Sequence, residues 1–250
     1  MKKLVNALRA EVYDAPIINW NNDSYTPISN KLIIDLIDKS LLSAGLIVRD
    51  EEYRVSRDAN NLIKGVVGSY NITTSNKEFG QRVMFRNSYD KSMSFAFVCG
   101  MCVWICTNGC IKGDYQYKRI HRGVLENNTS TTEQDVVESI NSGIANLQES
   151  FECLLDEMEE LRKIQISPKD VYDLLGNLFF EQEVISINQM SIIKKELAFS
   201  DNFRHLGDTD FTAFDLYNHI TESLKSSHPT TYIKDHMKTH DLFESTFSLI

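Results

Sequence analysis

Apolar residues recur at helical spacing early in the chain. They stand at Leu32, Ile33, Leu36, Ile37, Leu41 and Leu42. This period places them on one side of an α-helix. Ser29 is a favourable N-cap for it, and Gly45 can adopt the left-handed conformation that ends a helix. The pattern therefore predicts a helix over residues 29–45.

From about residue 46 to residue 123 the period changes to two, which is typical of β-strands. The predicted strands lie around 53–55 and at 66–74, 82–89, 92–106 and 114–121. Residues 92–106 are nearly all apolar, as in a central strand that is buried on both faces. We therefore predict a mostly antiparallel sheet of four or five strands with short connections.

A heptad pattern follows a polar loop at 126–132. Its apolar members are Val137, Ile140, Ile144, Leu147, Phe151, Leu154, Met158 and Leu161. Their alternating steps of three and four predict one helix over 132–164, about 45–50 Å long at 1.5 Å per residue. Two interpretations stay open. The stripe packs against later helices of the same chain, or it forms a seam between subunits.

Further helices are predicted after this one. Ser167, Pro168 and Asp170 have the order of an N-cap, a first helical residue and a first-turn acid. Later helices are predicted near 189–199, 210–226 and after residue 229. We therefore predict an α+β fold. Region 1–125 is an N-terminal antiparallel sheet with one helix, region 126–250 is helical, and the two regions pack as one compact unit.

The composition is that of an ordinary globular protein, with 42% hydrophobic and 24% charged residues among 250. The longest apolar run, within 95–106, is too short to cross a bilayer as a helix. Lys2 and Lys3 are not followed by the apolar segment of a secretory signal. The cysteine count of five argues against a disulfide framework. We therefore expect a cytoplasmic protein without a membrane partner.

The net charge of −9 hides a strong asymmetry along the chain. Residues 80–123 carry seven basic and two acidic side chains, net +5, whereas residues 133–183 carry three basic and thirteen acidic ones, net −10. A basic block beside an acidic block is a reason to consider a polyanion as the ligand. The acidic helical half would stay away from nucleic acid, which leaves the sheet as the binding face.

The cysteine and histidine spacings do not predict a metal site. Four of the cysteines are Cys99, Cys102, Cys106 and Cys110. The first three lie within one predicted strand, where Cys99 points to the opposite face from Cys102 and Cys106, so they cannot close a local metal site and we expect buried thiols. His236 and His240 share a helix face, but Met237 stands where a metalloprotease has glutamate, so we expect a solvated face.

Templates for catalysis and for nucleotide cofactors are missing. The sequence has no phosphate-binding loop, no dinucleotide-binding glycine motif and no nucleophile elbow. We therefore expect no cofactor, no metal and no catalytic residue.

Three segments together resemble the phage- and plasmid-related family of unknown function numbered nine hundred and thirty-two. The first is a turn with Asn87, Ser88 and Asp90, and the second is a strand end with Asn108 and Gly109. The third is a helix that contains Tyr217, Asn218, Thr221 and Glu222. A basic segment that ends in His121, Arg122 and Gly123 also fits. The sequence departs from the pattern at His219, where a small residue is usual. The resemblance implies a mobile-element setting and the host cytoplasm, but no established activity or catalytic residues.

These observations predict a non-enzymatic nucleic-acid-binding protein of a phage or plasmid, a homo-oligomer that binds single-stranded DNA in replication or recombination. The basic residues expected to contact phosphates are Arg82, Arg86, Lys91, Lys118, Arg119, His121 and Arg122. The residues expected to stack on bases are Tyr89, Tyr115 and Tyr117.

Two other classes of function stay open. One is a phage structural or host-protein-interaction protein that uses the acidic helices and the heptad seam. The other is a hydrolase or nuclease that uses Asn87, Asp90 and His121.

Overall fold

The computed structural model describes residues 5–17, 27–90, 92–104, 108–110, 116–119, 131–228 and 230–249, with the backbone alone at 109–110, 116–119 and 131–133. The strands are β1 (Val5–Ala7), β2 (Val48–Arg57), β3 (Ile63–Ile72), β4 (Phe79–Ser88), β5 (Phe95–Val103), β6 (Asn108–Cys110) and β7 (Gln116–Arg119). The helices are α1 (Arg9–Tyr13), α2 (Asn30–Ser43), α3 (Thr131–Ala145), α4 (Leu147–Lys163), α5 (Pro168–Gly176), α6 (Ile187–Phe199), α7 (Ala213–Leu224) and α8 (Tyr232–Phe247). The predicted α+β class, with an antiparallel sheet before a helical half, is confirmed.

The described strands form one sheet in the order β1-β2-β3-β4-β5-β6, and β7 also pairs with β5. β2 and β3 are antiparallel, as are β3 and β4. β5 pairs antiparallel with β6 at one end and with β7 at the other. Both β4 and β5 are interior strands of the sheet, and every residue of each is buried, so both of their faces are covered.

The helix α2 forms where the apolar period predicts it. The Ser29 hydroxyl accepts a hydrogen bond from the Leu32 amide at 3.1 Å, as an N-cap does. Gly45 has φ +70°, the left-handed conformation that glycine adopts most easily. The buried face of the helix carries Ile33, Ile34, Ile37 and Leu41.

The chain divides into two compact units. The sheet unit comprises Met1–Ser75, Gln81–Cys99 and Asp114–Gln148, and the helical unit comprises Asn76–Gly80, Gly100–Gly113 and Glu149–Ile250. The predicted limit at residue 125 falls outside the described residues and stays a prediction. Helix α3 nevertheless lies in the same unit as most of the sheet, so this unit includes a helix from beyond residue 125.

Each unit has its own hydrophobic core. In the sheet unit, α2 and α3 pack on the face that carries Tyr53, Tyr70, Phe85 and Phe97. The core of the helical unit is built from α4 to α8, with Leu154, Leu161, Leu216, Ile220 and Phe243 among its most buried members. The sheet therefore has one apolar face, which is covered by helices. Because successive side chains of a strand point to opposite faces, the residues that alternate with these aromatic ones lie on the other face.

The predicted single helix over 132–164 is wrong, because Asn146 interrupts it between α3 and α4. Asparagine favours turns over helix interiors. The heptad residues from Ile140 to Leu147 lie in the core of the sheet unit, and those from Phe151 to Leu161 lie in the core of the helical unit. The stripe from Ile140 to Leu161 is therefore buried within the chain, as the intramolecular interpretation expected, whereas the predicted Val137 is half-buried and its neighbour Val136 is buried instead.

The helices of the second half begin where their capping residues stand. Ser167 with Asp170, Ser186 with Gln189, and Thr212 with Asp215 each form a reciprocal capping box. The predicted start at Ser167 and Pro168 is confirmed. Among the described residues, none of the helices combines the length and the apolar character that a bilayer crossing requires.

Candidate nucleic-acid interface

The turn after β4 contains the first family-like motif, and its residues hold the start of α2. Asn87 is fully buried, and its Nδ2 donates to the Ile28 carbonyl and to Asn30 Oδ1, both at 2.8 Å. The Tyr89 hydroxyl accepts a hydrogen bond from the Asn30 amide at 2.8 Å. Tyr89 is only 1% exposed, so the expectation that it stacks on bases from an accessible surface is wrong for this structure.

Ser88 and Asp90 fix the shape of the same turn. The Ser88 hydroxyl donates to the Met93 carbonyl and accepts from the Met93 amide. Asp90 lies 2.7 Å from the Lys64 ammonium and accepts from the Ser92 amide. Partial burial acts to raise the pKa of Asp90, but the hydrogen bonds from Lys64 and Ser92 outweigh it and hold that pKa below its usual value.

We predict that Asp90→Asn lowers the free energy of unfolding by about 1 kcal/mol at neutral pH. The pKa of Asp90 is lowered in the folded state, so its contribution is present above the unfolded pKa and is lost as the pH falls through the folded pKa. Urea unfolding of both proteins at neutral pH and near pH 3 measures this. The difference should shrink in acid, and a constant difference would contradict the assignment.

The polar face of the sheet, opposite α2 and α3, carries the arginines. In register across three strands stand Arg54, Val67 and Arg86, and four residues further along each strand stand Asp50, Asn71 and Arg82. Asn71 Nδ2 donates to Asp50 at 2.6 Å, and Arg82 Nε donates to Asn71 Oδ1 at 2.7 Å. The face therefore places three guanidinium groups on β2 and β4, the two strands that flank β3, together with the Asp50 carboxylate.

Arg82 and Arg86 are 7% and 8% exposed, so the expectation that they lie on an open surface is corrected. The physical reason is that β4 is an interior strand with both faces buried. Burial lowers the pKa of Arg86, and the Arg86 Nη2 donates to Ser94 at 3.4 Å. The side chain of Arg54 is more accessible, at 21%, and lies 3.7 Å from Glu52.

The other predicted contacts lie on or near β7. Arg119 is in register with Phe95, Lys118 with Ala96, and Tyr117 with Phe97. For these three residues the structure describes the backbone only. Lys91, Tyr115, His121 and Arg122 lie outside the described residues, so their roles stay predictions.

The two later motifs meet in the helical unit. Asn108 Nδ2, from β6, donates to the Asn218 carbonyl of α7 at 2.9 Å, and both residues are 1% exposed. The Thr221 hydroxyl donates to the same carbonyl. Tyr217 is buried, and Glu222 is half-buried and bonded to Lys225. Gly109 belongs to β6. These residues therefore attach a strand to a helix.

His219 occupies the position where the family pattern has a small residue. It is fully buried, and its Nε2 donates to the Arg204 carbonyl at 2.8 Å. Its ring stacks on Phe211 at 6.0 Å between centroids. Burial lowers the pKa of His219, so a neutral imidazole fills this space.

The sequence analysis missed a buried polar cluster in the helical unit. His240 Nε2 lies 2.9 Å from Glu157 Oε2, and neither side chain is exposed. The Tyr217 hydroxyl is hydrogen-bonded to His240 Nδ1 at 3.4 Å, and Cys153 Sγ donates to Glu157 at 3.5 Å. The expected solvated face for His236 and His240 is therefore wrong, since both are fully buried.

A signal for this cluster is present in the sequence. Ile233, His236, His240, Phe243 and Phe247 follow one another at steps of three, four, three and four. The two histidines thus occupy positions on the apolar stripe of α8.

The thiols behave as expected where they are described. Cys99 and Cys102 are buried, and Cys99 Sγ donates to the Gly143 carbonyl at 3.2 Å. Burial raises the pKa of Cys99 to about 12. Cys106 and the side chain of Cys110 lie outside the description. Within the described part of the chain, no three histidine, cysteine or acidic side chains are grouped as metal ligands.

A cleft of about 610 Å³ in the helical unit brings arginines and carboxylates together. Arg162 lies over the Phe214 ring at 4.2 Å and pairs with Glu78. Arg204 Nε is 2.7 Å from Asp210. These arginines are paired with acids, and they do not add a cationic surface.

The family model described as Domain of unknown function (DUF932) matches residues 19–245. No match is found among curated proteins or among solved structures.

Proposed function

Because the chain belongs to the family described as Domain of unknown function (DUF932), its activity has to be inferred from its own side chains. We propose that it is a non-enzymatic nucleic-acid-binding protein whose ligand is single-stranded DNA of a phage or plasmid. The polar face of the sheet would make the phosphate contacts.

The proposal is carried by the cross-strand row of Arg54, Val67 and Arg86. Strands are about 4.8 Å apart, so the two arginine Cα atoms are separated by roughly 10 Å. Arg54, whose side chain is 21% exposed, would make the direct phosphate contact, and the largely buried guanidinium of Arg86 would add its positive charge from beside it. Arg86 is a buried cation, and a phosphate oxygen held by Arg54 would be a further acceptor close to it.

Neighbouring groups fit the same ligand. Ser69 and Ser94 are half-buried, and Ser94 already accepts from Arg86. Hydroxyl groups beside arginines are common donors to phosphate oxygens. Arg82 is not expected to contact phosphate directly. It donates to Asn71, which in turn donates to Asp50, so its side chain links the three strands beside the row.

We predict that Arg54→Gln weakens binding to single-stranded DNA by about three- to tenfold and reduces the salt slope by about 0.7, the value of one lost phosphate contact. Fluorescence anisotropy measures this with a labelled oligothymidine of about 30 nucleotides over about 50 to 200 mM salt. Arg86→Lys should weaken binding in the same direction while it keeps the charge.

Arg49→Gln is the matched control, since its half-exposed side chain lies outside the row. It should leave both the affinity and the slope unchanged. Absence of binding by the natural protein at low salt would overturn the proposal. A loss of affinity for Arg49→Gln equal to that for Arg54→Gln would also overturn it.

The competing functions have less support. A protein-interaction function that uses the heptad stripe has less support, because the stripe residues in the two cores are buried within the chain and are not accessible to a partner. The nuclease would need Asn87 and Asp90, but these side chains hold α2 and pair with Lys64.

A further inference from the structure

A cleft of about 520 Å³, which we call the α5/α8 cleft, lies in the helical unit where the end of α4, the helix α5 and the end of α8 meet. Its apolar lining consists of Ile164, Ile166, Leu174, Leu242 and Phe247. Leu174 is 5% exposed, and the other four are half-buried. The cleft therefore offers an apolar floor of the size that takes a few side chains.

Carboxylates stand beside this floor. Asp170 and Asp173 belong to α5 and line the cleft. Hydrogen bonds from Ser167 hold the pKa of Asp170 below its usual range, so this carboxylate stays charged. Asp173 lies 2.5 Å from Lys169, but both side chains are more than 60% exposed. An exposed pair of this kind contributes little, so a cation from a partner can replace Lys169.

The negative charge extends beyond the cleft. Residues 149–183, the part of the acidic segment that belongs to the helical unit, carry ten acidic and three basic side chains, a net charge of −7. Glu159, Glu160, Glu181 and Glu183 are all exposed in this segment. Such a field attracts cationic partners and repels nucleic acid. An apolar floor that is bordered by Asp170 and Asp173 is complementary to apolar anchors flanked by lysine or arginine.

We propose that the α5/α8 cleft binds a basic amphipathic segment of a partner protein. This inference is independent of the nucleic-acid proposal, because it uses different residues in the other unit. Leucine or phenylalanine anchors of the segment would enter the floor, and its basic residues would pair with Asp170 and Asp173.

The probe is a synthetic amphipathic peptide of about 14 residues that contains only leucine and lysine at helical spacing. Calorimetry or anisotropy with the full chain measures its affinity. Two comparison peptides separate the contributions: one has glutamate in place of lysine, and the other has serine in place of leucine. We expect each to bind at least about tenfold more weakly, because each lacks one of the two complementary features.

Asp173→Lys and Thr246→Arg place a cation in the cleft and should each weaken the leucine-lysine peptide by about tenfold. Asp201→Lys is the control, since it makes the same charge change as Asp173→Lys at an exposed residue outside the α5/α8 cleft. If Asp201→Lys weakened binding as much as Asp173→Lys, or if the serine-lysine peptide bound as tightly as the leucine-lysine peptide, the binding would be a non-specific electrostatic attraction between the peptide and the acidic chain. Either result would overturn the proposal. A dimer that Asp173→Lys dissociates, without peptide binding, would assign the cleft to a second copy of the chain and would also overturn it.

Discussion

Glu157→Ala is expected to lower the free energy of unfolding by about 1–3 kcal/mol, the cost of removing one member of a buried hydrogen-bonded pair. Glu157 and His240 are 2.9 Å apart and have no exposed side-chain surface. They come from α4 and α8, and Tyr217 of α7 bonds to the same imidazole. The substitution leaves the fully buried His240 imidazole beside a cavity, and it removes the carboxylate to which the half-buried Cys153 thiol donates. Urea unfolding followed by circular dichroism measures the loss.

Two further variants make this result specific. Glu160→Ala changes an exposed glutamate on the same helix and should stay within about 0.5 kcal/mol of the natural protein. Glu157→Met combined with His240→Leu replaces the pair by apolar groups, and it should be more stable than Glu157→Ala alone. A loss below about 1 kcal/mol for Glu157→Ala would show that the buried pair does not stabilise the helical unit.

Leu154→Ala is expected to lower the free energy of unfolding by about 2–5 kcal/mol without changing the mass of the protein in solution. Leu154 is on the heptad stripe, has no exposed surface and lies in the core of the helical unit. The substitution leaves a cavity inside the chain, since the stripe is used for intramolecular packing. Urea unfolding and light scattering measure the two quantities.

Leu42→Ala is the control for this variant, because Leu42 is 80% exposed on α2. It should change the unfolding free energy by no more than about 0.5 kcal/mol. If Leu154→Ala instead dissociated an oligomer into folded subunits, the stripe would be an intermolecular seam. That result would contradict the intramolecular packing described here.

Several elements could be predicted because their signals are local. The helix α2 follows from its apolar period and from Ser29, and α5 follows from Ser167 and Pro168. The interior strand β5 follows from a run of apolar residues. In each case the residues that decide the structure are neighbours in the chain, so propensity and capping suffice.

The candidate site was less predictable because burial depends on residues far away in the chain. Arg82 and Arg86 alternate with apolar residues, as on a half-exposed strand, yet β4 is buried on both faces. His240 and Glu157 are polar by composition, but they are 83 positions apart in the sequence and meet in a core. A local sequence pattern does not predict which polar side chain is buried and hydrogen-bonded to a residue far away in the chain.

The sequence by itself determined the α+β class, the order of the main strands and helices, and the positions of their caps, since these depend on periodicity and on short-range hydrogen bonds. Only the tertiary structure decided that the heptad stripe is divided between two cores, that the histidines of α8 are buried, and that Arg54 and Arg86 share a row. These features depend on strand register and on helix packing, which join residues that the chain keeps apart.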